Sequence, residues 1–234
     1  MKVKNAREEV NKEIIKCLEE KYAGAKTALK YNNSFELLIA TILSAQTTDN
    51  QVNKITSELF RKYPGPKDFR ELTSEGLAEE IRGCGLYRTK AKNILATINI
   101  LLDEYQGEVP ADFEKLLKLP GVGRKTANVV LANAFGLPGL GVDTHVLRVA
   151  NRLGLAKAQT PLQAELQLKA QIDPSRWGEA HHWLIWHGRR ICAARKPKCA
   201  GCFLNSLCDG YKGFADITAE RPDRQDKKNR QKKY

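Results

Sequence analysis

The sequence predicts an all-α protein, because its apolar residues recur at helical spacing and no segment of any length shows the alternation of a β-strand. In the segment 5–22, Val10, Ile14 and Leu18 fall on one face of a helix, with charged residues elsewhere. Clusters of glycine and proline separate the helical segments, at 64–65, 83–85, 107–110 and 136–141.

The helical segments follow one another along most of the chain. Ser34 is positioned to cap the second helix, and the turn 47–49 can end that helix and cap the next one. We predict further helices at 73–85, 88–105 and 112–119, from about 124, after 143 and around 181–188. The three histidines of the last segment are expected to be packed and hydrogen-bonded rather than to bind metal; they are His181, His182 and His187.

The chain is strongly basic, with a formal net charge of +12 over 234 residues. The last fourteen residues carry seven cations and two acids and almost no apolar residue, so we expect the segment 215–234 to be a disordered basic tail. A second basic patch, residues 186–198, carries five cations and no acid. A charge of this size and sign favours a polyanionic partner, and nucleic acid above a membrane surface.

The sequence also bears on location. No run approaches the ~18–20 apolar residues that a membrane-spanning helix needs. The charged N-terminal segment lacks the apolar region of a secretory signal. We therefore expect a cytoplasmic protein that does not insert into a membrane, and we expect it to be a monomer.

The segment LPGVGRKTANVV, residues 119–130, predicts a tight turn between two helices. Pro120 ends the preceding helix, and Gly121 and Gly123 permit the positive φ that a reversal within a few residues requires. The next helix begins near Arg124 with its first N–H groups pointing outward, where they can bind a phosphate. In a basic chain, this pattern favours contacts of Gly121, Gly123 and Arg124 with nucleic acid over a turn that only packs.

Lys125 falls in the first turn of that helix, where the partial positive charge of the helix end disfavours a protonated amine. Partial burial would lower its pKa further, and a neutral amine is a nucleophile. The hairpin alone leaves open whether Lys125 is a nucleophile or an exposed lysine that contacts phosphate. Asp143 precedes an amphipathic helix and is placed to cap it, and its carboxylate can also face the Lys125 amine across a cleft.

A metal centre is predicted from four cysteines in the pattern C-x6-C-x2-C-x5-C, namely Cys192, Cys199, Cys202 and Cys208. Disulfides are not expected inside a cell. Zinc and a [4Fe–4S] cluster both accept four thiolates, and the single short C-x2-C pair favours the cluster. The cations of the same loop would then be held against a polyanion; they are Arg195, Lys196 and Lys198.

Together these motifs resemble the endonuclease III family of helix-hairpin-helix DNA glycosylases. The likeness rests on LPGVGRKTANVV and VDTHVLRVANR, extends to LLIATILSAQTTD, GLYRTKAKNI and HHWLIWHGRRIC, and covers about residues 30–210. In that family the lysine at the position of Lys125 is the catalytic nucleophile, and the aspartate at the position of Asp143 is essential. The same resemblance implies that the four cysteines ligate a [4Fe–4S] cluster.

The resemblance implies two helical domains that flank a DNA-binding cleft, the helix-hairpin-helix glycosylase fold. The first would span 27–137 and carry the hairpin, and the second would be discontinuous, from 1–26 and 138–214, and hold the cluster. The implied function is that of a bifunctional DNA glycosylase and AP lyase of base excision repair. Such an enzyme removes oxidised pyrimidines from damaged double-stranded DNA and cuts 3′ to the abasic site by β-elimination through a lysine Schiff base.

A base inside a duplex is reached only after its nucleotide is flipped out, and something must fill the gap that is left. The resemblance implies that Gln46, in SAQTTD, and Leu86, in GCGLYRTK, do so. From the residues alone, a surface amide for Gln46 and a buried loop anchor for Leu86 are the simpler interpretations.

Two other functions stay open from the sequence. A monofunctional glycosylase acting on mismatched or alkylated bases would leave Lys125 idle and form no covalent adduct with DNA. A non-enzymatic module would bind DNA in a salt-sensitive way without cleaving it, and the pairing of Lys125 with Asp143 argues against it.

Overall fold

The computed structural model describes residues 2–211, which form helices and loops and no β-strand. The tail predicted at 215–234 lies outside the described residues. The α-helices are α1 (Lys2–Lys21), α2 (Ser34–Leu43), α3 (Asp49–Lys62), α4 (Pro66–Phe69), α5 (Ser74–Glu80), α6 (Tyr87–Glu104), α7 (Phe113–Leu117), α8 (Arg124–Phe135), α9 (Thr144–Leu153), α10 (Pro161–Lys169) and α11 (Trp177–Arg190). The all-α class is confirmed. None of the helices in residues 2–211 is both long and apolar enough to cross a membrane.

Polar side chains at the predicted positions set most helix starts. Thr48 caps α3 and Asp143 caps α9, as predicted. The prediction for α2 is wrong by one residue, because Asn33 rather than Ser34 is the cap. The Asn33 side chain accepts the Glu36 N–H at 2.9 Å, and Ser34 becomes the first helical residue. Asn and Ser cap about equally well, so the residue with the extended backbone takes the position.

Two helices, α4 and α10, have no counterpart in the sequence prediction. Helix α4 is a single turn, too short for a periodic signal. Helix α10 begins with a capping box formed by Thr160 and Gln163. Its sequence shows only a weak helical periodicity of apolar residues. In the structure Leu162 and Leu166 are exposed, so they do not belong to the buried apolar stripe that identifies other helices.

The buried apolar side chains form two clusters. The first is built from α2 to α8, and every residue of α2 after Ser34 is buried. The second joins α1 to α9, α10, α11 and the loop around Leu204. The exact domain boundaries, at 26/27 and 137/138, stay a prediction.

The segment 138–142 connects α8 to α9 and passes very close to α8 and α11. A Cβ at Gly139 would collide with the backbone carbonyl oxygen of Asn128 in α8. A Cβ at Gly141 would lie 3.2 Å from the His181 ring in α11. Glycine at these two positions therefore lets the start of α9 approach the N-terminal half of α8.

Substitution of Gly139 by alanine should destabilise the protein, because the new methyl group meets backbone rather than a mobile side chain. We expect a loss of about 1–3 kcal/mol in the free energy of unfolding, measured by urea titration. Gly201→Ala is the matched control, since a Cβ there meets no atom within 4 Å, and it should change stability by less than about 0.5 kcal/mol. Equal stability of the two variants would show that the segment can move away from α8.

Candidate functional site

The hairpin predicted at 119–123 joins α7 to α8. Gly121 has a φ of +80°, as predicted, whereas Gly123 has a φ of −94°, so the prediction of positive φ is wrong there. One left-handed residue suffices to reverse the chain, and Gly123 serves instead as the N-cap of α8. The Thr97 hydroxyl of α6 holds the turn by donating to the Pro120 carbonyl at 2.9 Å. Gly123 offers no side-chain acceptor to the first N–H groups of α8, so this helix end can receive an anion.

Arg124, predicted to contact nucleic acid, is already paired within the protein. Its guanidinium donates to both carboxylate oxygens of Glu165, at 2.9 and 3.2 Å, and lies 4.8 Å from the centre of the Phe113 ring. Lys169 donates to the same carboxylate at 2.7 Å. Burial acts to raise the pKa of Glu165, but these two cations outweigh it and leave the pKa below its ordinary value. A phosphate would have to compete with Glu165 for Arg124.

Lys125 is partly buried in a small cavity between α8 and α11. Burial lowers the pKa of the Lys125 amine below its ordinary 10.5, and the carboxylates of Asp143 and Asp49 partly oppose that shift. Asp143 lies on the wall of the same cavity, so the structure brings together the two residues that the sequence predicts to meet. Other side chains on the wall include Ser44, Asp49, His181, His182, Trp186 and Arg189.

Asp143 caps α9 with a single carboxylate oxygen. Its Oδ1 accepts the backbone N–H groups of His145 at 2.8 Å and Val146 at 2.9 Å. Its Oδ2 has no hydrogen-bond donor among residues 2–211 and stays available to the cavity. Asp143 can therefore hold the start of α9 and present a charge to Lys125 at the same time.

His181 and His182, which the sequence analysis assigned to packing, are buried and hydrogen-bonded, and they also line the cavity. His181 Nδ1 donates to the Gly141 carbonyl at 2.6 Å, and His182 Nε2 bonds Asn133 Oδ1 at 2.9 Å. Burial lowers the pKa of His181 to about 4 and that of His182 to about 3. Both rings are therefore uncharged at neutral pH and add no positive charge beside Lys125.

An ion pair between Asp49 and Arg189 spans the cavity wall, with 2.7 Å between Asp49 Oδ2 and Arg189 Nη1. Asp49 begins α3, in the first hydrophobic cluster, and Arg189 lies near the end of α11, in the second. The sequence analysis missed this pair, because 140 positions separate the two residues and neither stands in a motif that predicts contact.

The loops that carry Gln46 and Leu86 lie side by side. Both residues have left-handed backbone, with φ of 54° and 57°, which non-glycine residues adopt only when the surroundings hold them there. Both side chains are exposed, and Leu86 shows 59% of its surface. The expectation from the residues alone that Leu86 is a buried anchor is wrong, because its loop turns the side chain outward.

The four cysteines of the predicted metal centre line one small cavity; they are Cys192, Cys199, Cys202 and Cys208. Cys17 and Cys84 lie apart from it in the two hydrophobic clusters. Within residues 2–211, no three His, Cys, Asp or Glu side chains are close enough together to hold a single metal ion.

The cations of the cysteine loop are exposed; they are Arg195, Lys196 and Lys198. Lys196 has a φ of 50°. Arg152 of α9 holds the backbone of this loop by donating to the carbonyls of Ala193 at 2.7 Å and Ala194 at 3.1 Å. None of the three cations forms an ion pair with an acid among the described residues, so each is free to meet an anion.

Comparison with known proteins identifies the family. A family model described as "HhH-GPD superfamily base excision DNA repair protein" matches residues 39–174. Endonuclease III of Rickettsia conorii is 53% identical over 202 residues, which cover 86% of this chain and 96% of that protein. Endonuclease III of Escherichia coli K12 is 47% identical over 205 residues, or 88% and 97%. The chain belongs to the endonuclease III family. It is a DNA glycosylase of base excision repair.

Two solved structures of endonuclease III with DNA share the fold of this family member. A non-covalent complex matches with a TM-score of 0.86 at 44% identity, covering 89% of this chain and 98% of that chain. A trapped covalent intermediate with an estranged adenine matches with a TM-score of 0.84 at 44% identity, covering 88% and 98%. The helix-hairpin-helix glycosylase fold predicted from the sequence is confirmed.

Two substitutions separate the capping role of Asp143 from its charge. Asp143→Asn keeps Oδ1 as an acceptor, so the free energy of unfolding should stay within about 0.5 kcal/mol of the parent value. Asp143→Ala removes the acceptor and should cost about 1 kcal/mol. Urea unfolding of both variants measures the difference, and an equal loss in the two would contradict a capping role for Oδ1.

Proposed function

We propose that this chain is a bifunctional DNA glycosylase and AP lyase that removes oxidised pyrimidines from damaged duplex DNA and cuts 3′ to the abasic site. The observation that carries the proposal is Lys125, partly buried beside Asp143 at a helix end that lacks a side-chain cap. A 44% identical relative has been trapped as a covalent intermediate with DNA, which supports a covalent route. The substrate class rests on the family resemblance.

Lys125 acts as the nucleophile in this proposal. Burial lowers the pKa of its amine, and the neighbouring histidines carry no charge at neutral pH, so the neutral, nucleophilic amine is easier to form than on an exposed lysine. The nitrogen lone pair attacks C1′ of the flipped nucleotide, and the C1′–N bond breaks. The electron pair of the broken C1′–N bond leaves with the base, which also takes a proton.

Asp143 acts on charge rather than on carbon. Asp143 lines the cavity, and only its Oδ1 is tied to the backbone of α9. A fixed negative charge beside C1′ stabilises positive charge that develops as the base departs, and it can accept the proton that the attacking amine must lose. The cap prevents the carboxylate from rotating away during these steps.

Strand cleavage follows from the Schiff base. The bond between C1′ and the ring oxygen breaks, that oxygen takes a proton, and a protonated imine joins Lys125 to C1′. The imine draws electrons from C2′, so a 2′ hydrogen is lost as a proton. The C3′–O3′ bond then breaks, and the 3′ phosphate leaves. An abasic site enters the same route without a base to displace, so it too should be cut.

The DNA contacts belong to the same proposal. The exposed side chains of Gln46 and Leu86 are placed to enter the gap left by the flipped nucleotide. The N–H groups of the hairpin at Gly121 and Gly123 would bind a backbone phosphate. The cations of the cysteine loop would bind phosphates further along, and Arg124 would contribute after release from Glu165.

We further propose that the cysteine cavity holds a [4Fe–4S] cluster. Structural zinc sites usually have two short C-x2–4-C pairs, and this loop has only one, Cys199 and Cys202. In a cluster each thiolate binds a different iron, which fits four thiols that line one larger space. When bound, the cluster supplies four iron–thiolate bonds that cross-link the loop 192–208. The protein's part is to hold the exposed cations of that loop at fixed positions against DNA.

Borohydride trapping tests the lyase proposal. Duplex DNA containing thymine glycol is incubated with the protein and borohydride, with Lys125→Ala in parallel. A covalent adduct is expected with the parent chain and not with Lys125→Ala, because only a lysine imine is reduced to a stable bond. Base release without an adduct from the parent chain would instead indicate a monofunctional glycosylase. Thymine, uracil and alkylated bases in the same duplex test the substrate class.

Metal analysis tests the cluster proposal. The purified protein should contain about four iron atoms and four acid-labile sulfides per chain. Cys199→Ser should lose most of the iron, whereas Cys17→Ser, which lies outside the cavity, should keep it. One equivalent of zinc with no sulfide would overturn the proposal in favour of a zinc site.

A further inference from the structure

Lys90 is a buried lysine that the proposed chemistry does not use. It lies in the first turn of α6 and exposes 5% of its surface. Its Nζ donates to three acceptors, the carbonyls of Leu43 at 2.7 Å and Ala45 at 2.5 Å and the hydroxyl of Thr47 at 3.1 Å. An ammonium group has three N–H donors, and each of them is used.

We propose that Lys90 is a positioning residue, which holds the loops of Gln46 and Leu86 in one fixed arrangement for insertion into DNA. Its side chain bonds Ala45 and Thr47, the residues on either side of Gln46. Its backbone N–H donates to the Leu86 carbonyl at 3.0 Å. The Lys90 side chain therefore fastens the Gln46 loop, and the Thr47 hydroxyl that it holds links that loop to the Leu86 loop. The inference rests on the function proposed above, in which Gln46 and Leu86 fill the gap.

Thr47 connects the two loops directly. Its Oγ1 accepts from Lys90 Nζ and from the Gly85 backbone N–H, each at 3.1 Å. Gly85 stands next to Leu86, and a Cβ there would lie 2.8 Å from the Gln46 carbonyl oxygen. The Thr47 hydroxyl and the absence of a side chain at Gly85 together allow the two loops to lie close to each other.

The type of residue at position 90 points to positioning rather than to packing. An apolar side chain would fill the same space without the cost of burying an ammonium group. The ammonium group, by contrast, satisfies carbonyls at the C-terminal end of α2 and fixes the chain just beyond it. Gln46 and Leu86 both have left-handed backbone, which is strained for non-glycine residues and persists only under such constraint.

The test compares Lys90→Met and Thr47→Val with two controls, Thr47→Ser and Ile98→Val. Thr47→Ser keeps the hydroxyl, and Ile98→Val perturbs the buried face of the same helix away from the loops. Two measurements are made on duplex DNA. The first is the rate of borohydride-trapped adduct formation at an abasic site under single turnover. The second is the fluorescence rise of 2-aminopurine placed opposite a tetrahydrofuran abasic analogue, which reports base displacement without chemistry.

We expect Lys90→Met and Thr47→Val to lose about tenfold or more in both measurements, since loose loops no longer offset the free energy of unstacking the flipped nucleotide. On single-stranded abasic DNA, which has no opposite base, their adduct rates should stay within about twofold of the parent chain. Thr47→Ser and Ile98→Val should match the parent on both substrates.

The outcomes separate this inference from the function on which it rests. Wild-type duplex rates and fluorescence in Lys90→Met or Thr47→Val would overturn it, as would losses in all four variants that follow their melting temperatures. If Lys90→Met fails to fold, the Val and Ser pair at position 47 decides alone. If the parent chain forms no adduct at all, the lyase proposal fails, and the fluorescence measurement still tests the positioning role.

Discussion

The placement of Lys125 in the cavity between α8 and α11 is the constraint on which the rest of the site depends. An amine at a helix N-terminus, partly out of water, costs free energy when it is protonated. Two features of the fold maintain that environment. The segment 138–142 approaches α8 through Gly139 and Gly141 and so brings Asp143 to the cavity, and buried, neutral His181 and His182 also line it.

Several polar groups on the cavity wall also have a structural partner. Asp143 divides its two oxygens between the α9 cap and the cavity. His181 donates to Gly141 in the segment that carries Asp143, and Asp49 pairs with Arg189 across the two hydrophobic clusters. Because these groups are held by bonds outside the reaction, they do not have to reorganise when charge develops in the cavity.

On the surface expected to face DNA, exposed residues stand on backbone that hydrogen bonds from other side chains hold in place. Gln46 and Leu86 have left-handed backbone and lie in adjacent loops. The buried ammonium group of Lys90 donates hydrogen bonds to the chain on either side of Gln46. The cysteine loop follows the same plan, since its cations are exposed while Arg152 holds its backbone from below. In both places the side chains expected to contact DNA are exposed, and another side chain holds the backbone of their loop by hydrogen bonds.

The sequence by itself determined the helical class, the hairpin, the cap at Asp143 and the grouping of the four cysteines, because each depends on residues within a few turns of one another. The left-handed φ at Gly121 followed from the same local pattern. Only the tertiary structure decided that Arg124 pairs with Glu165, that Asp49 meets Arg189, and that Lys90 reaches the Gln46 loop. Those contacts join residues about 40 to 140 positions apart, and no local propensity encodes which distant partner a charged side chain will meet when the two hydrophobic clusters assemble.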